Sequence, residues 1–326
     1  MMTTSLIRKA AIAQLCSSSD KYSNLAQIAK CAKLAKASGA IMLFLPECFG
    51  FMPDVSNGCI TLDHAEDLFV NEENGNDSII FRGLQEIARE HKLWISGGGI
   101  HEKIHSKVKA DDVDDNDECT SKMSNIDRVY NTHIILNEHG ALVAKYRKIH
   151  LFDVCIPSEG VNLRESSTTA PGDCGIVVVD SPIGKLGLAT CYDVRFPEQF
   201  TLLKERGAQV LLLPSAFTVP TGKAHWHVLL RARAIEQQCY VLAAAQCGKH
   251  NDKRVSYGHS LAIDPWGKIL ADAGGDEDDD LQKCKTSESK HRSDIIVCDI
   301  DLNHLESIRK RMPIDNHRLN AKSFLV

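Results

Sequence analysis

The sequence of 326 residues lacks several features that define whole classes of protein. It has no run of about 18 consecutive apolar residues, so we expect no membrane-spanning helix. It has no block of Lys and Arg large enough to cover a face of a domain, so nucleic acid and anionic membranes are not expected partners. It has no Cys-x-x-Cys pair, which argues against a structural zinc site or a thioredoxin-type motif. A small-molecule substrate is therefore the expected partner.

The acidic residues are unevenly distributed along the chain. The formal net charge is −5, and two runs, Asp111–Glu118 and Asp276–Asp280, contain 11 of the 43 acidic residues and no Lys or Arg. Outside those thirteen positions the chain has 38 basic and 32 acidic residues. We therefore expect two acidic, solvated surface loops, at about 102–128 and 274–293, on an otherwise mildly basic protein.

The chain contains twelve cysteines. Near the N-terminus it passes at once into an alternating segment at 11–16, which leaves no room for a cleaved leader and favours a cytoplasmic location. In a reducing compartment most of these cysteines are expected to be buried thiols rather than disulfides. One of them is a candidate nucleophile.

Segments with helical periodicity alternate with short apolar runs along the chain, which predicts an α/β protein with mixed sheets covered by helices. Helices are predicted at about 24–38, 81–88, 197–206, 224–237 and 305–312. Strands are predicted at about 11–16, 41–45, 93–96, 129–136, 141–147, 176–180, 185–190, 210–213, 240–245, 257–264 and 295–300.

Three predicted strands run directly into chemically useful side chains. One is followed by Glu47, another by Lys148 and a third by Cys191. The carboxyl ends of strands are the usual place for chemistry in α/β proteins. A thiol at a strand-to-helix turn can act as a nucleophile if a base and an oxyanion-stabilising group lie near it.

Each of these side chains has a candidate role. Glu47 is the candidate base, because partial burial is expected to raise its pKa toward neutrality. Lys148 is the candidate for stabilising an oxyanion and for holding the thiol partly ionised, and Glu165 could fix its ammonium group by a charge-assisted hydrogen bond. Ordinary alternatives stay open: a buried sulfur for Cys191, a helix cap or surface carboxylate for Glu47, and a surface lysine for Lys148.

The segments FLPECFGF (44–51), YRKIHLFD (146–153) and GLATCYDVRFPE (187–198) closely resemble the three active-site segments of the nitrilase superfamily of carbon–nitrogen hydrolases. The resemblance extends from about Ala11 to Met312. It implies a single carbon–nitrogen hydrolase domain over residues 1–326 with a four-layer αββα sandwich fold, into which the two acidic loops are inserted. It also implies no metal, no cofactor and a homodimer or homotetramer.

Residues 224–260 look like the deaminated glutathione amidase branch of that superfamily. This similarity implies hydrolysis of deaminated glutathione to 2-oxoglutarate and cysteinylglycine through a Cys thioester, a metabolite-repair reaction. Cys191 would be the nucleophile and Glu47 the base. The oxyanion would be bound by Lys148 and the backbone N–H of Tyr192, with Glu165 positioning substrate and Lys148. An ω-amidase acting on 2-oxoglutaramate is the alternative within the family.

A 2-oxo acid substrate carries a carboxylate, which a guanidinium group binds bidentately. Arg195, four residues after Cys191, is the candidate for this contact. A bond from Arg195 to its own turn, or to a neighbouring subunit, is the open alternative.

Two interpretations from other classes remain. The sequence HEKIH at 101–105 matches the HExxH motif of zinc peptidases. It follows three consecutive glycines, which begin a helix poorly, so we expect it to be the end of a strand. A scaffold or interaction protein without activity is the second interpretation, and the presence of Glu47, Lys148 and Cys191 argues against it.

Overall fold

The computed structural model describes residues 7–58, 60–68, 78–105, 128–156, 161–275 and 294–318. The strands in these ranges, in chain order, are β1 (Arg8–Leu15), β2 (Met42–Leu45), β3 (Trp94–Lys103), β4 (Val129–Leu136), β5 (Leu142–Arg147), β6 (Asp153–Ile156), β7 (Val161–Arg164), β8 (Val177–Ser181), β9 (Gly184–Leu188), β10 (Val210–Leu212), β11 (Tyr240–Ala243), β12 (Ala245–Lys249), β13 (Val255–Tyr257), β14 (Leu261–Ile263), β15 (Ile269–Asp272) and β16 (Asp294–Ile300). The α-helices are α1 (Lys21–Ala37), α2 (Ile79–His91), α3 (Pro197–Glu205), α4 (Val219–Gln237), α5 (Leu302–Arg311) and α6 (Ile314–His317).

Two large sheets form the centre of the molecule. The first has the strand order β13-β12-β1-β2-β3-β4-β5, with β16 paired antiparallel to β1. The second has the order β15-β14-β11-β10-β9-β8, and β6 and β7 form a separate ribbon. In the first sheet β1, β2 and β3 are parallel, and in the second β9, β10 and β11 are parallel. The carboxyl ends of these parallel strands therefore meet at one edge of their sheet.

The side chains of β1 show how the layers are stacked. Successive side chains of a strand point to opposite faces. Ala11 and Ala13 pack into a core with α1 and α2, whereas Ala10 and Ile12 pack into the core between the two sheets. The far face of the second sheet is covered by α3 and α4 in a third core that contains Trp226. The expected four-layer αββα sandwich is therefore confirmed.

Two apolar segments predicted as single strands are each divided between the two sheets. The segment 240–245 forms β11 in the second sheet and the start of β12 in the first. The segment 257–264 likewise contains the end of β13 and all of β14, which lie in different sheets. The first prediction was wrong because every residue of 240–245 is buried and apolar, so no polar position marks the crossing. The second was wrong because it overlooked the polar His259 and Ser260, which lie at the crossing.

Some predicted features lie at the boundary of the described residues. Glu102 and Lys103 belong to β3 and not to the acidic loop, because Glu102 is buried and pairs with Tyr130 of β4. The remainder of the two predicted acidic insertions, 106–127 and 276–293, lies outside the described residues. Of the helices described, none combines the length and apolar character needed to cross a membrane.

Candidate active site

The three side chains predicted at strand ends lie together. Glu47 follows β2, Lys148 follows β5, and Cys191 begins a 3-10 helix (Cys191–Arg195) after β9. The Nζ atom of Lys148 lies 3.0 Å from Oε1 of Glu47. The Cys191 thiol is a hydrogen-bond partner of the same carboxylate. A base, a cation and a thiol from two sheets thus meet in one place.

Glu165 is the second carboxylate that contacts the ammonium group of Lys148. Its two carboxylate oxygens lie 2.9 and 2.8 Å from Nζ of Lys148. The backbone N–H of Phe152 donates to Oε2 of Glu165 at 2.7 Å, and this bond fixes the carboxylate. Lys148 is only 2% exposed. A lysine buried to this degree requires charged partners, and two carboxylates supply them.

The carboxylate of Glu47 is held at both oxygens. Asn131 Nδ2 donates to Oε1 at 2.9 Å, and the backbone N–H of Ala216 donates to Oε2 at 3.1 Å. A Cβ atom at Gly99 would lie 2.6 Å from Oδ1 of Asn131, so the bond from Asn131 requires glycine there. Side chain, backbone and packing therefore fix the orientation of the candidate base.

The charge state of Glu47 differs from the sequence-based expectation. Burial by itself raises the pKa of this carboxyl, but Lys148, the hydrogen bond from Cys191 and Arg254 together bring it below its usual value. The expectation of a raised pKa was wrong because it considered burial without the adjacent cation. Glu47 is consequently ionised at neutral pH and ready to accept a proton.

Cys191 is held as a thiol at rest. Burial and the neighbouring Glu47 carboxylate raise its pKa well above the usual value, and these effects exceed the opposing effect of Lys148. The residue has a left-handed backbone with φ of +48°, and its N–H donates to the carbonyl of Pro214 at 2.9 Å. Non-glycine residues rarely adopt this conformation, and such outliers gather at functional turns.

Asp193 joins the turn of Cys191 to the segment that contains Lys148. Its carboxylate accepts hydrogen bonds from Tyr146 Oη at 2.7 Å and from the backbone N–H of Thr190 at 2.8 Å. It also contacts His150 Nδ1 at 2.7 Å. Tyr146 and His150 lie on either side of Lys148 in the chain, so one buried carboxylate positions both functional segments.

A cavity of about 490 Å³ opens onto these groups. This volume lies in the range of small-molecule sites. Tyr192 also lines the cavity, with its ring edge-on to Phe152 at 5.0 Å between centroids. The lining residues that matter below are Glu47, Cys48, Asn131, Lys148, Arg164, Glu165, Cys191, Tyr192 and Arg254.

The structure places Arg195 differently from the sequence-based expectation. Its guanidinium lies over the rings of Tyr192 and Phe217 and contacts His225 Nδ1 at 3.2 Å, and it is not among the residues lining the cavity. Arg254, which does line the cavity, donates from Nη2 to the carbonyl of Ala216 at 2.9 Å. Its Nε atom is buried and has no hydrogen-bond partner within the described part of the chain.

The HEKIH segment does not form the helical face that a zinc peptidase needs. His101 and Glu102 lie on β3, as predicted for the end of a strand, and His105 lies beyond it. Glu102 forms ion pairs with Lys145 and Arg147, and His105 pairs with Asp67. The pKa of the buried His101 falls to about 4 because burial disfavours its charged form.

Comparison with known proteins identifies the family. The model of the carbon–nitrogen hydrolase family matches residues 9–310. The chain belongs to the carbon–nitrogen hydrolase family. This extent agrees with the segment of 11 to 312 over which the sequence resembles the nitrilase superfamily.

Relatives of this carbon–nitrogen hydrolase include two curated proteins and a solved structure. The chain is 42% identical over 95% of its length to NitFhit, a nitrilase and fragile histidine triad fusion protein of Drosophila melanogaster, and spans 57% of that protein. It is 40% identical to the deaminated glutathione amidase of Dictyostelium discoideum, over 96% of this chain and 94% of that one. It also matches Saccharomyces cerevisiae Nit3, of the nitrilase superfamily, with a TM-score of 0.71, 32% identity and 94% of each chain covered.

Sequence reasoning about this hydrolase missed three residues that the fold brings to the site. Asn131 lies on β4 beside two other polar residues, Thr132 and His133, so its residue type alone did not single it out. Asp193 lies two residues after Cys191, and a carboxylate so close to a candidate nucleophile was a detectable signal. Arg254 lies 63 residues from Cys191 in the chain, and no local pattern relates the two.

Proposed function

We propose that this enzyme, an amide C–N hydrolase, cleaves deaminated glutathione to 2-oxoglutarate and cysteinylglycine. The observation that carries the proposal is the contact of Glu47 with both Lys148 and Cys191 at the wall of a cavity of about 490 Å³. The chain's 40% identity to a deaminated glutathione amidase supports the choice of substrate. No cofactor is needed for this reaction.

The first half of the reaction forms a thioester on Cys191. The ionised Glu47 takes the thiol proton as sulfur attacks the amide carbonyl, and the carbonyl electrons move onto oxygen. Two of the three contacts of Lys148 Nζ go to the single carboxylate of Glu165, so one N–H can turn toward the oxyanion. The backbone N–H of Tyr192 is the second proposed donor. Glu47 then gives its proton to the departing amine.

The second half of the reaction releases the acid. Glu47, again ionised, removes a proton from water as the water oxygen attacks the thioester carbonyl. The tetrahedral intermediate collapses, the carbon–sulfur bond breaks, and sulfur recovers its proton from Glu47. Glu165 keeps Lys148 in place through both halves and so positions the oxyanion contact.

Arg254 is the guanidinium best placed to neutralise the carboxylate of a 2-oxo acid. It lines the cavity, and its unpartnered Nε–H is a donor that a bound carboxylate could satisfy. The exposed Arg164 also lines the cavity and offers a second cation. Arg195 remains the candidate that the sequence proposed, although its observed contacts are with His225 and aromatic rings.

We expect Arg254→Gln to raise KM for deaminated glutathione about tenfold or more, because a hydrogen bond to a charged group contributes about 1.5–3 kcal/mol. KM for a neutral aliphatic amide should change much less. Arg195→Gln is the matched comparison and should change both constants less than about threefold. Steady-state kinetics of both variants on both substrates measure this. If Arg195→Gln raised KM for deaminated glutathione selectively and Arg254→Gln did not, the contact with the substrate carboxylate would be assigned to Arg195.

Substrate profiling tests the proposed function as a whole. The purified protein should hydrolyse deaminated glutathione with a higher kcat/KM than 2-oxoglutaramate, and an aliphatic nitrile should be a poor substrate. The measurement is release of 2-oxoglutarate or ammonia. A preference for 2-oxoglutaramate would instead identify an ω-amidase, and turnover that is abolished by chelation but retained by Cys191→Ala would support the zinc-peptidase alternative. An absence of turnover on all three would favour the scaffold interpretation.

We also propose a homodimer or homotetramer in the cytoplasm. The outer helices support association, because α3 and α4 present Leu202, Val228 and Ile235, which are 48%, 68% and 40% exposed. Free thiols at Cys48, Cys174, Cys191, Cys239 and Cys298 suit a reducing compartment. Light scattering of the purified protein measures the mass of the assembly.

A further inference from the structure

A second group of reactive side chains lies outside the catalytic cavity. His227 on α4, His259 between β13 and β14, and Asp272 at the end of β15 each offer one ligand atom, and these atoms all lie within 4.8 Å of one another. None of the three lines the catalytic cavity. Because they come from a helix, a connection and a strand, their meeting is a property of the fold.

The distances within the cluster are close to those of a metal site. His227 Nε2 lies 3.0 Å from Oδ2 of Asp272, and His259 Nδ1 lies 3.0 Å from Oδ1 of the same carboxylate. Bonds of about 2.0–2.2 Å in a tetrahedral arrangement separate neighbouring ligand atoms by roughly 3.3–3.5 Å. Each nitrogen–oxygen distance is therefore within about 0.5 Å of that spacing, and all three ligand atoms lie within 4.8 Å of one another.

The surroundings hold two of the ligands in place. The carbonyl of His259 accepts a hydrogen bond from Trp226 Nε1 at 2.8 Å. The imidazole ring of His259 stacks on the ring of Tyr257, with 4.5 Å between centroids. The backbone N–H of Gly274 donates to Oδ1 of Asp272 at 2.9 Å. Supporting contacts of this kind orient metal ligands and tune their affinity.

The ligand set selects the kind of ion. Two imidazole nitrogens and one carboxylate suit Zn²⁺ and similar transition-metal ions, whereas Ca²⁺ and Mg²⁺ prefer sites made of oxygen alone. His259 is only 12% exposed, but His227 and Asp272 are each 30% exposed, so an ion can enter from solvent. We propose that His227, His259 and Asp272 bind one Zn²⁺ ion and so fasten α4 to the second sheet.

None of the residues of the HEKIH motif belongs to this site, and neither does the neighbouring His225. His225 contacts Arg195, while His227 points to Asp272, so these two histidines do not act together. The proposed ion takes no part in the amide hydrolysis proposed above, and its binding does not depend on that activity. Failure of the metal proposal would therefore leave the proposed function untouched, and failure of the function would leave the metal site untouched.

Zinc titration of chelator-treated, dialysed protein by calorimetry tests the proposal. We expect one Zn²⁺ equivalent per chain that disappears in His227→Gln and in Asp272→Asn. Loss of an outer contact to a metal ligand already weakens binding about 10- to 100-fold, so loss of a ligand should weaken it at least about tenfold. His139→Ala, which removes an exposed imidazole elsewhere, should keep wild-type binding.

Cobalt substitution separates this site from the cysteine thiols. Co²⁺ bound by imidazole and carboxylate gives visible d–d absorption without a thiolate-to-metal charge-transfer band, and the absorption should vanish in His227→Gln. Zn²⁺ should also raise the melting temperature of the wild-type protein and not that of either ligand variant. Wild-type protein that binds no Zn²⁺ overturns the proposal. Equal binding by correctly folded His227→Gln and Asp272→Asn variants overturns it as well.

Discussion

Cys191→Ala should lose amidase activity by a factor of about 10³ or more, because removal of a nucleophile eliminates the covalent route and leaves only the effects of binding and electrostatics. The substitution removes one partly buried sulfur, and the neighbouring Glu47 keeps its bonds to Lys148, Asn131 and Ala216. The fold should therefore be retained. Steady-state release of 2-oxoglutarate, with circular dichroism as a check on folding, measures the effect.

Cys48→Ala is the matched control for this loss. Cys48 lines the same cavity and adjoins Glu47 in the chain, and burial and the Glu47 carboxylate raise the pKa of its thiol to about 12, as they also raise that of Cys191. A thiol at that position is not part of the proposed chemistry, so the variant should keep activity within about tenfold of wild type. If Cys48→Ala were inactive while Cys191→Ala retained activity, the nucleophile would have been assigned to the wrong thiol.

Lys148→Met should lower kcat about 10²- to 10³-fold, the usual cost of one oxyanion-stabilising group. Methionine has a similar length and removes only the charge and its hydrogen bonds. In the wild-type protein Nζ of Lys148 lies 3.0 Å from Glu47 and 2.8 Å from Glu165. Its loss leaves these two carboxylates close together with little solvent. Breaking a buried charge pair typically costs about 3–5 kcal/mol of stability. Kinetics and thermal melting measure the two losses separately.

The stability loss in Lys148→Met should depend on pH in a defined direction. In the wild-type protein the pKa of Glu47 lies below its usual value, so the ionised carboxylate adds stability at neutral pH that disappears as the pH falls through that lowered pKa. Without Lys148, burial raises the pKa of Glu47, and the carboxyl destabilises the fold until it is protonated. The difference in melting temperature between the wild-type protein and Lys148→Met should therefore be largest near pH 7 and should decrease toward pH 4.

Lys145→Met is the matched control for the lysine substitution. Lys145 lies three residues away on β5 and pairs with Glu102 at 2.9 Å, and its side chain is 25% exposed. Glu102 also keeps Arg147 as a partner in this variant. We expect activity near that of wild type and a small change in melting temperature without the same pH dependence. Equal effects of the two variants would contradict a special role for Lys148.

The positions of Glu47, Lys148 and Cys191 could be predicted because each follows a strand with a strong apolar pattern. The end of such a strand is a local property, and the fold class follows from the alternation of these strands with amphipathic helices. Glu47 and Lys148, which are 101 positions apart, then meet because β2 and β5 run in the same direction in the first sheet, with the antiparallel β4 beside β5, so their carboxyl ends lie at one edge.

Features that depend on distant partners could not be predicted in this way. The lowered pKa of Glu47 results from Lys148 and Arg254, neither of which is its neighbour in sequence. Arg254 enters the cavity through the connection between β12 and β13, after the chain has crossed from one sheet to the other. The choice of Arg195 relied on nearness in sequence to Cys191, and distance along the chain is a poor guide across such a crossing.

Asp193 has a consequence for how losses of activity are interpreted. Its carboxylate binds Tyr146, His150 and Thr190, and it does not line the cavity. Displacement of this one group would misalign the nucleophile and the ammonium group together. Substitution of Asp193 should therefore inactivate the enzyme even though Asp193 takes no part in bond making or breaking. It is a positioning residue for two reactive groups, and inactivation alone would not distinguish it from a catalytic residue.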